Sequence, residues 1–173
     1  MDKGLVQVYT GNGKGKTSAA FGLALRAIGR GLKVHVIQFI KGGFDYGESH
    51  VADKLDNLTL KAFGRGKFIV TKPPPEDDLR LASEAFELAK RVVTSANYDV
   101  VILDEINVAI DLGMLDLQDV INLVQNKPDS VELVLTGRNA PTAIIEVADL
   151  VTEMKEVKHP FQQGIPPRKG IEY

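Results

Sequence analysis

The segment Thr10-Gly11-Asn12-Gly13-Lys14-Gly15-Lys16-Thr17-Ser18 restricts the possible folds of this chain more than any other stretch. It stands between an apolar, strand-like run, Leu5 to Tyr9, and an Ala- and Leu-rich helical run, Thr17 to Gly29, with Arg26 and Arg30 near its end and Gly31 as a stop. Gly11, Gly13 and Gly15 let the backbone curl until successive N–H groups point inward, and a helix starting near Lys16 aims its positive end at the same spot. A strand, a Gly-rich turn ending in Gly-Lys-Thr and a helix together make a phosphate-binding loop. Lys16 is expected to reach the terminal phosphates. The Thr17 hydroxyl is expected to ligate Mg2+, or Mn2+ in its place, with Thr10, Gly11, Asn12, Gly13, Lys14, Gly15 and Ser18 as further nucleotide contacts. The usual spacing G-x-x-x-x-G-K-[ST] begins with Gly, and here Thr10 takes that place.

Beyond this loop, apolar runs alternate with helical patterns. That alternation predicts an α/β, P-loop NTPase-like three-layer fold, with a mostly parallel central sheet and helices on both faces. Lys33 to Phe39, Leu58 to Phe63, Asp99 to Asp104 and Val131 to Thr136 read as strands, with Leu150 to Val157 as a last one. Helices are expected from Glu76 to about Ala96 behind Pro73-Pro74-Pro75, from Asp116 to Asn126, and from Pro141 to Ala148. The helix over 17–29 is apolar on nearly every face, which predicts burial all round. Lys41 to Ser49 is Gly-rich and fits neither period, so a binding loop is expected there. The 173 residues suffice for one P-loop domain, 1–173, in which Lys158 to Tyr173 (158–173) forms a C-terminal flap or tail.

Hydrophobic residues make up 44%, charged residues 25%, and the net charge is -2, a balance that points to neither nucleic acid nor membrane as partner. No apolar run approaches the roughly 20 residues of a bilayer span, and Met1-Asp2-Lys3-Gly4 leads into the first strand without a signal-peptide pattern, so a cytoplasmic location is expected. Cysteine is absent, which excludes disulfides, thiolate metal sites and thiol redox chemistry. Any electrons the reaction needs must come from elsewhere.

The strand ending in Asp104-Glu105 has the form of the second NTPase element, a carboxylate near the metal at the C-terminal edge of the sheet. If strand geometry persists, the two acids point to opposite sides and one of them approaches Mg2+; Glu105 is the expected ligand. A phosphate loop alone does not name a reaction. A small-molecule kinase using MgATP and a non-catalytic ATP-dependent binding module both fit it. A kinase would also want arginines clustered on a lid, whereas Arg65, Arg80 and Arg91 are scattered.

Longer stretches separate these readings. VYTGNGKGKTSAAFG from Val8 to Gly22, VIQFIKG from Val36 to Gly42, VILDE from Val101 to Glu105, LTGR from Leu135 to Arg138 and the C-terminal VKHPFQQGIPPRKGIEY together resemble the P-loop-type corrinoid adenosyltransferases. These are the ATP:cob(I)alamin or cob(I)yrinic acid a,c-diamide adenosyltransferases, and Thr10-Gly11-Asn12 is their form of the loop. The resemblance implies that a Co(I) corrinoid attacks the 5′ carbon of ATP and displaces intact triphosphate. It makes Lys16, Thr17 and Glu105 the catalytic residues, Lys41 and Arg138 further nucleotide contacts, and Asp104 the alternative to Glu105 as metal ligand beside Thr17. It also implies a homodimer and a possible reduced flavoprotein as electron donor. In Gly64-Arg65-Gly66-Lys67-Phe68-Ile69, the segment similar to the family's lower-ligand displacement element, Phe68 is the aromatic expected against the corrinoid. His35, His50 and His159 lie outside any Asp-x-His-x-x-Gly pattern, in keeping with cobalt that no protein nitrogen ligates.

Overall fold

The computed structural model describes residues 3–43, 45–66 and 73–173. Over them the chain forms β1 (Val6–Thr10), α1 (Lys16–Ile28), β2 (Val34–Gln38), α2 (Gly47–Ala52), β3 (Leu58–Ala62), α3 (Glu76–Ser95), β4 (Val100–Asp104), α4 (Ile106–Asp111), α5 (Leu117–Gln125), β5 (Glu132–Thr136), α6 (Thr142–Glu146) and β6 (Leu150–Glu153). The strands make one six-stranded sheet in the order β3-β2-β4-β5-β1-β6, parallel at every pairing.

Alternation along the strands sorts the apolar residues into two layers. Ile37, Val101, Leu103, Leu133 and Leu135 face α3, α4, α5 and α6, while Val34, Val36, Val100, Ile102 and Val134 face α1 and α2. Because both faces are covered, β2 and β4 are buried at every position, as the near-continuous apolar runs predict. Ala20, Ala24 and Ala27 recur at helical spacing, and their small side chains let α1 lie close on the sheet. The expected three-layer α/β fold is the one observed.

Four local readings are corrected. First, α1 is buried along one stripe only, and Leu25 is 65% exposed. Phe21, Leu25 and Ile28 border a cavity, and Phe21 and Ile28 also pack against the edge of the core. Second, the expected loop from Lys41 to Ser49 runs into α2, a helix of six residues, too short to show a period against its glycines. Third, α4 follows β4 with Glu105 alone between them. Glu105 adopts φ 65°, so the chain turns from strand to helix in one residue. Fourth, the last strand ends at Glu153 rather than Val157. Beyond that point the backbone serves the phosphate loop: the Met154 N–H donates to the Thr10 carbonyl at 2.9 Å, and the Met154 carbonyl accepts from the Gly13 N–H at 2.6 Å.

All parallel strands present their C-terminal ends at one edge, where open α/β sheets bind ligands. Thr10, Gln38, Asp104 and Thr136, the last residues of β1, β2, β4 and β5, gather there.

Candidate active site

The phosphate loop joins β1 to α1. Gly11 and Gly15 take φ values of 94° and 119°, which L side chains rarely adopt, and a Cβ on Gly13 would lie 2.7 Å from the Met154 carbonyl oxygen. The loop is therefore braced from outside by the strand-end backbone at Met154. Inside the loop the buried Lys16 ammonium donates to the Gly11 and Gly13 carbonyls, both at 2.7 Å. Burial lowers its pKa, Glu105 opposes that effect, Arg138 and Lys41 add to it, and Asp104 opposes it.

Asp104 is the centre of the site. It is wholly buried, and four donors converge on it. Oδ1 accepts from the Thr17 hydroxyl at 2.9 Å and the Thr136 hydroxyl at 2.7 Å; Oδ2 accepts from Lys41 Nζ at 2.7 Å and Gln38 Nε2 at 3.1 Å. Strand order explains the set, because β5 lies between β4 and β1 and carries Thr136 into the gap. The same Thr136 oxygen accepts from the Glu105 N–H at 3.0 Å, which fixes the turn after β4.

Glu105 borders the cavity, as do Thr17, Lys41 and Arg138. Strand geometry does not persist past Asp104, so the alternation that would send the two acids to opposite faces ends there, and both belong to this end of the sheet. Burial pushes the Glu105 carboxyl above the usual carboxylate range and the Asp104 charge adds to that, while Lys41, Lys16 and Arg138 pull it back.

The cavity measures about 620 Å3. Its polar end is the phosphate loop, with Asn12, Lys14 and Ser18 on the rim; its apolar end is walled by Phe21, Ile28, Val51 and Leu55 from α1 and the α2 region. The last turn of the chain closes one side. Lys14 Nζ donates to the Ile171 carbonyl at 3.1 Å and to Glu172 Oε1 at 2.8 Å, and Arg168 donates to the same carboxylate. Arg168 and Lys14 hold the Glu172 carboxyl down to about 2. His159 borders the cavity and caps the turn at 160–163, His50 pairs with Asp45 at 2.5 Å, and His35 is buried in the sheet. Phe68 lies outside the described residues.

Four contributors escape a reading of the sequence: Gln38, Thr136, Met154 and Glu172. For Gln38 and Thr136 a signal exists, since each is a polar residue closing a mostly apolar strand. Met154 acts through its backbone and has none.

The described residues contain no cluster of three or more His, Cys, Asp or Glu that could hold a metal by themselves. A hydroxyl and one or two carboxylates do suit Mg2+, which takes its remaining ligands from phosphates and water. Thr17 and Asp104 already hold a cation, the Lys41 ammonium, so the charge at that spot fits.

The sequence pattern of the family described as ATP:corrinoid adenosyltransferase BtuR/CobO/CobP matches residues 2–173. The chain belongs to this family. An adenosyltransferase of this kind transfers the adenosyl group of ATP to a corrinoid, and the match lends no support to a kinase or a binding module. Among relatives, a corrinoid adenosyltransferase of Sinorhizobium is 41% identical over 99% of this chain and 81% of its own length. Those of Pseudomonas aeruginosa and Escherichia coli are 39% and 37% identical, again over 99% of this chain, and over 85% and 87% of their own lengths. Among solved structures, a KaiC-like protein of Pyrococcus horikoshii superposes with a TM-score of 0.53 at 14% identity, covering 90% of this chain and 75% of that one. That likeness concerns the fold alone. No helix of the described residues is long and apolar enough to cross a membrane.

Proposed function

We propose that this adenosyltransferase acts chiefly by stabilising triphosphate as it leaves. A Co(I) corrinoid attacks C5′ of ATP; an electron pair on cobalt makes the Co–C bond, the C5′–O bond breaks with its pair going to the triphosphate, and cobalt becomes Co(III). Charge builds on the departing oxygens. The observation that carries the reading is the convergence of Lys14, Lys16, Lys41 and Arg138 on one end of a single cavity whose other end is apolar. Cations and loop N–H groups aimed at a leaving group lower the barrier most where water is excluded. Lys16 exchanges the carbonyls of Gly11 and Gly13 for phosphate oxygens, a move its short reach within the loop allows. Thr17, Asp104 and Glu105 would hold Mg2+, which when bound adds positive charge at the same oxygens. Cobalt brings its own electron pair, so the apolar wall of Phe21, Ile28, Val51 and Leu55 has to align and shield rather than supply a base.

The same reading takes cob(I)alamin or a cobyrinic acid derivative as acceptor, with Phe68 against its lower face. It includes a cytoplasmic homodimer fed by a reduced flavoprotein; the resemblance to the family supports these points. The test is anaerobic. Protein, MgATP and chemically reduced cob(I)alamin should yield a light-labile Co–C product and one intact triphosphate per product. Release of ADP would favour a kinase, and binding of ATP without turnover would favour a binding module.

A further inference from the structure

Lys41 occupies the place a divalent ion needs. Its Nζ lies 2.8 Å from Thr17 Oγ1 and 2.7 Å from Asp104 Oδ2, and Thr17 Oγ1 in turn donates to Asp104 Oδ1 at 2.9 Å. A hydroxyl and a carboxylate, the protein oxygens that suit Mg2+, thus already hold an ammonium. The side chain is only 13% exposed, and the Tyr46 ring centroid lies 5.5 Å from its charge. Asp104 is fully buried, and an unpaired buried carboxylate is costly. A cation facing it is therefore favoured. A metal ion on Thr17 and Asp104 would stand close to the Lys41 ammonium, and the repulsion between the two cations makes them compete for this spot.

Lys41 is also joined to the neighbouring loop. Gly42 donates to the Phe63 carbonyl at 2.8 Å and accepts from the Gly66 N–H at 2.5 Å, and a Cβ on Gly42 or Gly64 would clash with the backbone of the other. The backbone following Lys41 is thereby pinned, which leaves the ammonium to swing on its own stem.

Resting on the reading of this cavity as the nucleotide site, we propose that Lys41 is the resident counter-ion of the divalent position. It keeps Thr17 and Asp104 in ligating geometry, bars metal that arrives alone, and yields when a triphosphate offers the ammonium another anion. Metal and nucleotide then bind with strong positive coupling, and Lys41 is its source.

The experiment titrates Mn2+ by electron paramagnetic resonance, with and without ATP and with no corrinoid present, for wild type, Lys41→Met and Lys41→Arg. Wild type and Lys41→Arg should bind Mn2+ alone weakly, and Lys41→Met at least tenfold more tightly. The factor by which ATP tightens Mn2+ should shrink at least tenfold in Lys41→Met. Mn2+ alone should also raise the melting temperature of Lys41→Met more than that of wild type. Lys41→Gln keeps a donor for Asp104 without its charge and carries the same expectations if the Met variant does not fold. Equal affinity for Mn2+ alone in wild type and the neutral variants, with ATP-dependent Mn2+ binding intact in wild type, overturns the role of Lys41 and leaves the nucleotide site standing. No ATP-dependent Mn2+ binding in wild type overturns the nucleotide-site reading and this inference with it.

Discussion

Lys16 and Asp104 show at the scale of single residues how a site can be assembled before its ligand arrives. Lys16 is buried against two carbonyls of its own loop, so its charge is positioned with little conformational freedom left to lose. Lys16→Ala should fold normally and lose on the order of 10²-fold or more in turnover at saturating MgATP, read as adenosylated corrinoid per unit time. Near-normal turnover would remove this loop from the reaction. The two acids should part company in a urea denaturation series. Asp104→Asn leaves the Lys41 ammonium facing a neutral amide in a buried site and should lose about 3–5 kcal/mol of stability. Glu105→Gln removes a charge that burial and Asp104 both disfavour, so its stability should be unchanged or higher while the Mn2+ concentration needed for turnover rises. Equal stability losses in the two variants would contradict the central role given to Asp104.

Among the elements, the contact between the loops that follow β2 and β3 controls how closely their ends approach. Gly64 has φ 135°, and its Cβ would come within 2.9 Å of the Gly42 nitrogen and the Ile40 carbonyl carbon. Neither neighbour is the tip of a flexible side chain. Gly64→Ala should therefore lose more than the about 1–2 kcal/mol of a left-handed backbone alone, measured as a shift in urea midpoint without a change in slope. Arg65, directly after Gly64, bonds both oxygens of the buried Asp78 on α3, at 2.8 and 2.5 Å, so the loop is tied to a helix as well as to its neighbour. The C-terminal turn is held quite differently. Side-chain bonds from Lys14 and Arg168 to Glu172 attach it, at the surface where such pairs contribute little to stability.

Across the whole molecule, the sheet carries one titratable group that acid should turn against the fold. His35 in β2 is buried, meets the Tyr98 ring edge-on at 4.7 Å between centroids, and has neither ring nitrogen hydrogen-bonded among the described residues. Burial first, and Lys61 second, hold its pKa down to about 4, against 6.5 in an unfolded chain. Below pH 6.5 the unfolded state takes up a proton that the folded state refuses. Stability from this residue is thus full above 6.5 and falls as the pH drops toward 4. Between pH 8 and pH 5 the loss should be about 2 kcal/mol. His35→Leu should abolish that part of the pH dependence, so the gap between variant and wild type in chemical denaturation widens by this amount at pH 5. A constant gap would mean that His35 is solvated.

What the sequence determines here is what depends on near neighbours in the chain. A strand, a Gly-rich turn and a Gly-Lys-Thr helix start impose their geometry within about twenty residues, so the phosphate loop can be read directly. Alternating apolar runs likewise reveal a parallel sheet covered on both faces, because side-chain direction repeats locally. The tertiary structure decides what depends on strand order and on backbone atoms. Placing β5 between β4 and β1 puts the Thr136 hydroxyl on Asp104, and ending β6 at Glu153 frees the Met154 carbonyl to brace Gly13. Lys41 and Asp104 are 63 positions apart, yet their contact follows from the pairing of β2 with β4. Nothing local to either residue encodes that contact, since the burial of both strands, rather than the preference of any short segment, selects which strand ends become neighbours.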